Sequence, residues 1–198
     1  MSAVKYYIIH KPFGMLSQFT REHEYAVLGD LFAFPKDVYP VGRLDSDSEG
    51  LLILTNDKKL NNLLLNPERE HTRIYFAQLD GAITPEAIAK LESGVTIRIN
   101  NADYFTKPAK AEILSEPENL AERNPPIRFR KSIPTSWIKI VLREGKNRQV
   151  RKMTAAVNFP TLRLIRFSIE NIELGEMKPG DVKELSANSV YSKLNIKI

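Results

Sequence analysis

The densest group of reactive side chains in this sequence is the acidic run Asp45-Ser46-Asp47-Ser48-Glu49-Gly50, which follows Gly42-Arg43-Leu44 and leads into the apolar stretch Leu51 to Thr55. Carboxylates in a loop at the mouth of a strand can hold a cation, move a proton or attack an electrophilic carbon. The spacing superficially matches the opening of a calcium-binding loop. The match then fails, because the twelfth position is Asn56 instead of a bidentate Glu and the following run is strand-like. His10, His23 and His71 share no helical ligand spacing, so no metal site is expected from them. With no cysteine, thiol nucleophiles, thiolate zinc, iron-sulfur clusters and disulfides are excluded together. Neither a P-loop nor a G-x-S-x-G elbow is present, which leaves nucleotide hydrolysis and serine acyl transfer without an anchor. Any catalysis must come from carboxylates, Tyr, Lys and Arg, and no cofactor is expected.

A second feature is the run Gly145-Lys146-Asn147-Arg148-Gln149-Val150-Arg151-Lys152-Met153. At roughly 100° per residue, Arg148, Arg151 and Lys152 fall at roughly 0°, 300° and 40°, while Met153, Val157 and Val150 fall near 140°, 180° and 200°. Three cations therefore share one helix face, and Gly145 leaves room for backbone amides to approach a phosphate. A solvated basic face would show the same wheel. The wider charge distribution favours a polyanion: the formal net charge is +5, yet from Arg123 to Arg166 there are twelve Lys or Arg residues and one acid, Glu144. Such segregation draws nucleic acid to one part of a fold.

The elements that must position these groups alternate at short intervals, which predicts an α+β fold. Strands are expected at Tyr6 to His10, Val38 to Val41, Leu51 to Thr55, Arg73 to Leu79, Val95 to Ile99, Ala109 to Leu114, Trp137 to Leu142 and Leu162 to Ile169, with a further strand after Lys178-Pro179-Gly180. Asn56 is expected to cap a helix bearing Leu60, Leu63 and Leu64 that ends before Pro67. Thr84-Pro85-Glu86 opens another, closed by Gly94. A third runs from about Arg148 to Val157. The proline-rich, basic connection from Arg123 to Pro134 is expected outside the core.

At these residues a resemblance enters. Gly42-Arg43-Leu44-Asp45, followed by Gly50-Leu51-Leu52-Ile53-Leu54-Thr55-Asn56-Asp57, resembles the catalytic motif of the pseudouridine synthases of the small-subunit rRNA synthase A type. Three further segments match in order: His10-Lys11-Pro12-x-Gly14, Glu144 to Met153, and Leu162-Arg163-Leu164-Ile165-Arg166 ahead of Lys178-Pro179-Gly180. The resemblance implies a mixed, mainly antiparallel sheet flanked by helices, in one catalytic domain of two lobes that divide near residues 65–72 and meet at a basic cleft. It implies conversion of uridine to pseudouridine in RNA, with Asp45 as the catalytic aspartate, Tyr75 as the active-site tyrosine and Arg151 as the basic residue paired with the aspartate. Lys11, Arg43, Lys146, Asn147, Arg148, Lys152, Arg163 and Arg166 become candidate RNA contacts.

The reaction needs no redox change or energy source. A carboxylate could attack the anomeric carbon, stabilise charge there or remove a sugar proton, and the sequence does not choose. Arg151 close to Asp45 would hold the carboxylate in its ionised form, and a uridine within folded RNA would have to be extruded, with Tyr75 stacking on the base.

The catalytic pattern starts by Tyr6, so no small basic RNA-binding domain is expected ahead of it. This short form is similar to the large-subunit rRNA pseudouridine synthase E group, implying 23S rRNA as partner, with the connection Arg123 to Lys131 as a substitute contact. The opening MSAVKYYIIHKPFG has too short an apolar run for a signal peptide, and no stretch approaches the length of a membrane span, so a cytoplasmic, monomeric protein is expected. The competing reading is a non-catalytic RNA-binding or ribosome-assembly protein using the same basic face.

Overall fold

The structure is a computed structural model describing residues 3–118, 120–127 and 134–196. Of the basic connection, Arg128, Arg130 and Lys131 lie outside the described residues. The chain forms two compact units. One comprises Met1–His71 and Arg166–Ile198, the other Thr72–Ile165.

In the first unit β1 (Tyr6–Lys11) pairs antiparallel with both β3 (Glu49–Thr55) and β11 (Val182–Leu185), and β2 (Tyr39–Pro40) adds to β3. Every residue of β1 and β3 is buried, which is why both read as continuous apolar runs instead of alternating ones. Tyr7, Ile9, Leu52 and Leu54 face one apolar cluster with Met15, Leu28, Val38 and Leu44. Helix α1 (Lys58–Leu65) is capped by Asp57, whose carboxylate accepts from the Lys59 and Leu60 amides. The expected cap, Asn56, has other work. Its side chain accepts from the Lys5 amide at 2.8 Å and donates to Ala3 O and Asp37 Oδ2, fastening the start of β1. A carboxylate also suits the positive end of the helix better than an amide.

The Asp57 carboxylate additionally accepts the hydroxyls of Tyr6 and of Tyr191, each at 2.7 Å. Tyr191 lies on α4 (Ala187–Lys193), a helix absent from the sequence reading and capped by Ser186. A short strand, β10 (Ile172–Glu173), was also not foreseen.

In the second unit the strand order is β4 (Arg73–Asp80), β8 (Thr135–Leu142), β7 (Lys110–Leu114), with both pairings antiparallel. Helix α2 (Pro85–Ser93) begins as expected: Thr84 Oγ1 accepts from the Ala87 amide and Pro85 takes the first position. Helix α3 is shorter than expected, Gln149–Ala156. An unforeseen hairpin joins β5 (Thr96–Ile99) to β6 (Ala102–Phe105), because Asn100 and Asn101, with φ of 47° and 65°, supply the two positive-φ residues of a tight hairpin turn. Leu79, Leu91, Ile97, Ile138, Ile140, Val150 and Met153 lie in this unit's core. Strand β9 (Thr161–Ile169) contributes Leu164 to that core and, from Arg166 on, belongs to the first unit. Strands and helices in these proportions make an α+β fold.

Candidate functional site

Asp45 sits in the loop between β2 and β3, and its backbone is fixed from several directions. The hydroxyl of the buried Ser17 donates to Leu44 O at 2.7 Å and accepts from the Leu44 amide at 3.0 Å. The Ser48 amide closes a turn onto Asp45 O, and the Gly14 amide donates to Ser46 O at 2.7 Å. At Gly50, where φ is +109°, an added Cβ would stand 2.4 Å from Arg166 O and 2.7 Å from its N. Only glycine allows β3 to lie this close to the backbone of Arg166. Thus the Gly50 of the motif presses the loop's exit onto β9. Asp45 and Asp47 remain partly exposed while Glu49 is buried. A carboxylate held partly open on a rigid backbone is placed to meet a substrate.

Lys11 lies behind this loop with no exposed surface. Its Nζ donates to Pro12 O at 2.9 Å and Met15 O at 2.8 Å. Burial pushes its pKa down to about 7, against the upward pull of Glu49, Asp47 and Asp45 and with help from Arg166. The side chain expected as a phosphate contact is thus buried, with its Nζ given to two carbonyls of the segment that follows β1. Arg166 is buried too, and its Nε donates to Leu51 O at 2.8 Å. Arg43, by contrast, is exposed.

The other candidates belong to the second unit. Tyr75 stands on β4 opposite Ile140 of β8, partly buried against the core cluster. Arg151 projects from α3, with its Nη1 donating to Thr161 O at 3.2 Å. Arg163 is buried and donates to Ala121 O at 2.8 Å. Lys146, Asn147 and Arg148 are exposed, and Lys152 is partly so, with its Nζ 3.4 Å from Asn147 Oδ1. Surface cations thus cluster on the turn leading into α3, whereas Lys11, Arg163 and Arg166 hold the fold from within.

The turn itself is built by residues to which the sequence assigns no individual role. The buried Glu144 carboxylate accepts from the Lys107 amide at 2.9 Å, from Gln149 Nε2 at 2.6 Å and from the Tyr104 hydroxyl. The bond to Glu144, with partial burial, raises the Tyr104 pKa to about 12. Gln149 Oε1 accepts the Lys146 amide at 2.9 Å, and the Gln149 amide donates to Lys146 O. Arg148, with φ of 53°, forms the left-handed bend at the helix start. Gly145 therefore stands ahead of the helix and not at its first turn, and the amides of Lys146 and Gln149 are already donated. The one signal available beforehand was Glu144 itself, a lone acid in a strongly basic stretch. Among the described residues no three His, Cys, Asp or Glu side chains gather as metal ligands, and no helix is long and apolar enough to cross a membrane.

Comparison with known proteins decides the family. The model of the RNA pseudouridylate synthase family matches residues 5–156, a span that contains Asp45, Tyr75 and Arg151. The chain belongs to the RNA pseudouridylate synthase family. It is 47% identical over 181 residues to ribosomal large subunit pseudouridine synthase E of Vibrio parahaemolyticus, covering 91% of this chain and 74% of the relative. Identity to the protein of the same name in Xanthomonas axonopodis pv. citri is 42%, over 87% of this chain and 89% of that one. Ribosomal large subunit pseudouridine synthase B of Bacillus subtilis is 34% identical over 93% of this chain and 69% of its own length. A solved pseudouridylate synthase superposes with a TM-score of 0.79 at 24% identity, over 98% of this chain and 75% of that structure, and so shares its fold. Within this family the enzyme's reaction is isomerisation of uridine in RNA.

Proposed function

We propose that this protein isomerises one specific uridine of 23S ribosomal RNA to pseudouridine, acting in the cytoplasm as a monomer. The observation that carries the reading is the Asp45 loop: a partly exposed carboxylate whose backbone is fixed through Ser17, Gly14 and Gly50, in a chain of this family. The names of the relatives, which are large-subunit synthases, support the choice of rRNA.

In the proposed reaction the target nucleotide leaves its stack and the uracil rests on the Tyr75 ring, since base and phenol can stack face to face. The Asp45 carboxylate acts at the sugar while the bond from N1 to C1′ breaks, by attack on C1′, by stabilising positive charge there or by removing a proton from the sugar. The freed uracil turns in place and rejoins C1′ through C5; the C5 proton is lost to solvent and N1 gains one, so atoms balance without a cofactor. In this reading Arg151 is the basic residue that acts with the aspartate. Arg43, Lys146, Asn147, Arg148 and Lys152 hold phosphates or sugars, and Arg163 and Arg166 shape strand β9. The connection Arg123 to Lys131 is a further contact in this reading.

The test is direct. Pseudouridine mapping of rRNA from cells lacking the protein should show one vanished modification in 23S rRNA, restored by the wild-type gene and not by Asp45→Asn. A complete set of modifications in the deletion strain would refute the proposal.

A further inference from the structure

The hairpin β5–β6 bears none of the expected catalytic or RNA-contacting residues, yet it reaches the turn that bears Lys146 and Arg148, two of the three exposed cations among the candidate RNA contacts. Tyr104 of β6 does this in two ways: its hydroxyl donates to the buried carboxylate of Glu144, and the Lys146 ammonium lies 4.8 Å from its ring centroid. Glu144 passes the constraint to Gln149 Nε2 at 2.6 Å, and Gln149 Oε1 passes it to the Lys146 amide at 2.9 Å. The same carboxylate anchors the Lys107 amide just beyond β6. We propose that Tyr104 is a positioning residue for RNA binding: through Glu144 and Gln149 it holds the Lys146–Arg148 turn in its receiving shape before RNA arrives. This rests on the reading of the protein as an rRNA pseudouridine synthase.

The physical need for such a clamp is local. Arg148 occupies a left-handed backbone conformation that costs free energy for a residue with a Cβ, and Lys146 is a long side chain with many rotamers. A turn of this kind, left to itself, samples many shapes, and RNA would have to order it on binding. The buried network removes that cost in advance. A carboxylate is suited to the junction because it has enough lone pairs for three donors at once. The Tyr104 ring adds a second restraint by fixing the Lys146 ammonium over its face. The clamp acts on binding and not on the bond-breaking step, so its loss should appear in KM rather than in kcat.

The experiment compares wild type, Tyr104→Phe and Tyr104→Leu on a 23S rRNA transcript, measuring KM, kcat, the Kd for RNA across salt concentrations, and Tm. Tyr104→Phe keeps the ring under Lys146 and removes the bond to Glu144; a raised KM of about three- to tenfold with kcat within about twofold is expected. Tyr104→Leu should raise KM further and flatten the dependence of log Kd on log salt by about one counterion, as Lys146 disengages. Glu144→Gln, which keeps the shape of the side chain, supplies a second route to the same KM effect should the tyrosine variants prove unstable. Unchanged KM and salt dependence in folded variants, with Tm alone lowered, would overturn the proposal and leave Tyr104 a packing residue. Wild-type protein that binds the transcript but forms no pseudouridine would refute the functional reading instead, while the Kd comparison would still decide the role of Tyr104.

Discussion

Replacing Lys11 by Met should expose a pH dependence of stability that originates in one buried amine. Lys11 has no exposed surface and its pKa is lowered from 10.5 to about 7, first by burial. The folded protein therefore releases this proton near pH 7, while the unfolded chain keeps it until pH 10.5. Between those values the unfolded state binds more protons, so stability from this group rises with pH, by up to about 1.4 kcal/mol per pH unit. Between pH 7 and pH 9.5 the gain integrates to about 3 kcal/mol. A neutral amine also has two N–H groups, which matches the two carbonyls, Pro12 O and Met15 O, that Nζ faces. Lys11→Met lacks the titration and leaves both carbonyls without this donor. Urea unfolding of wild type and variant at half-unit intervals from pH 7 to pH 9.5 should show wild type gaining on the variant as pH rises. Subtraction removes the other titrating groups common to both proteins. A gap that stays level or narrows with pH would refute the burial argument and place the Lys11 ammonium in contact with water or with a fully compensating acid.

Asp57→Ala should cost about 2–4 kcal/mol, combining a lost helix cap with two phenols deprived of their acceptor, measurable by chemical denaturation. Burial raises the Asp57 pKa, but the bonds from Tyr191, Tyr6 and the Leu60 and Lys59 amides outweigh it and leave the group lowered; its contribution should thus be complete above pH 3.8 and fade as pH falls through the folded value, a fade absent from Asp57→Asn. Gly50→Ala should lose about 2–6 kcal/mol, from positive-φ strain together with overlap at 2.4 Å against Arg166 O, and a loss under about 1 kcal/mol would mean that β3 and β9 lie farther apart.

Much of both units was legible where the chemistry is local. The acid run, Gly50 and the buried strand after it are contiguous, and Thr84-Pro85-Glu86 states a helix start in three residues. What escaped was non-local. Lys11 looked like a surface cation because sequence shows charge but not the carbonyls that Pro12 and Met15 turn toward it. Asn56 looked like the helix cap because it and Asp57 are both good caps, and only the position of Lys5 and Asp37 decides between them. The hairpin β5–β6 was hidden by the shortness of Ala102–Phe105, four residues, although Asn100-Asn101 was a readable turn. Glu144 was read as one negative charge and as the start of a matching segment; its structural role emerges when Tyr104, forty residues earlier, arrives beside it.

The proposed function depends on the carboxylate of Asp45. Incubating 23S rRNA transcript carrying tritium at uridine C5 with wild-type protein should release tritium to water, and Asp45→Asn and Asp45→Ala should release none while retaining the fold and RNA affinity of wild type. Tritium release by a clean Asp45→Ala protein would contradict the assignment outright.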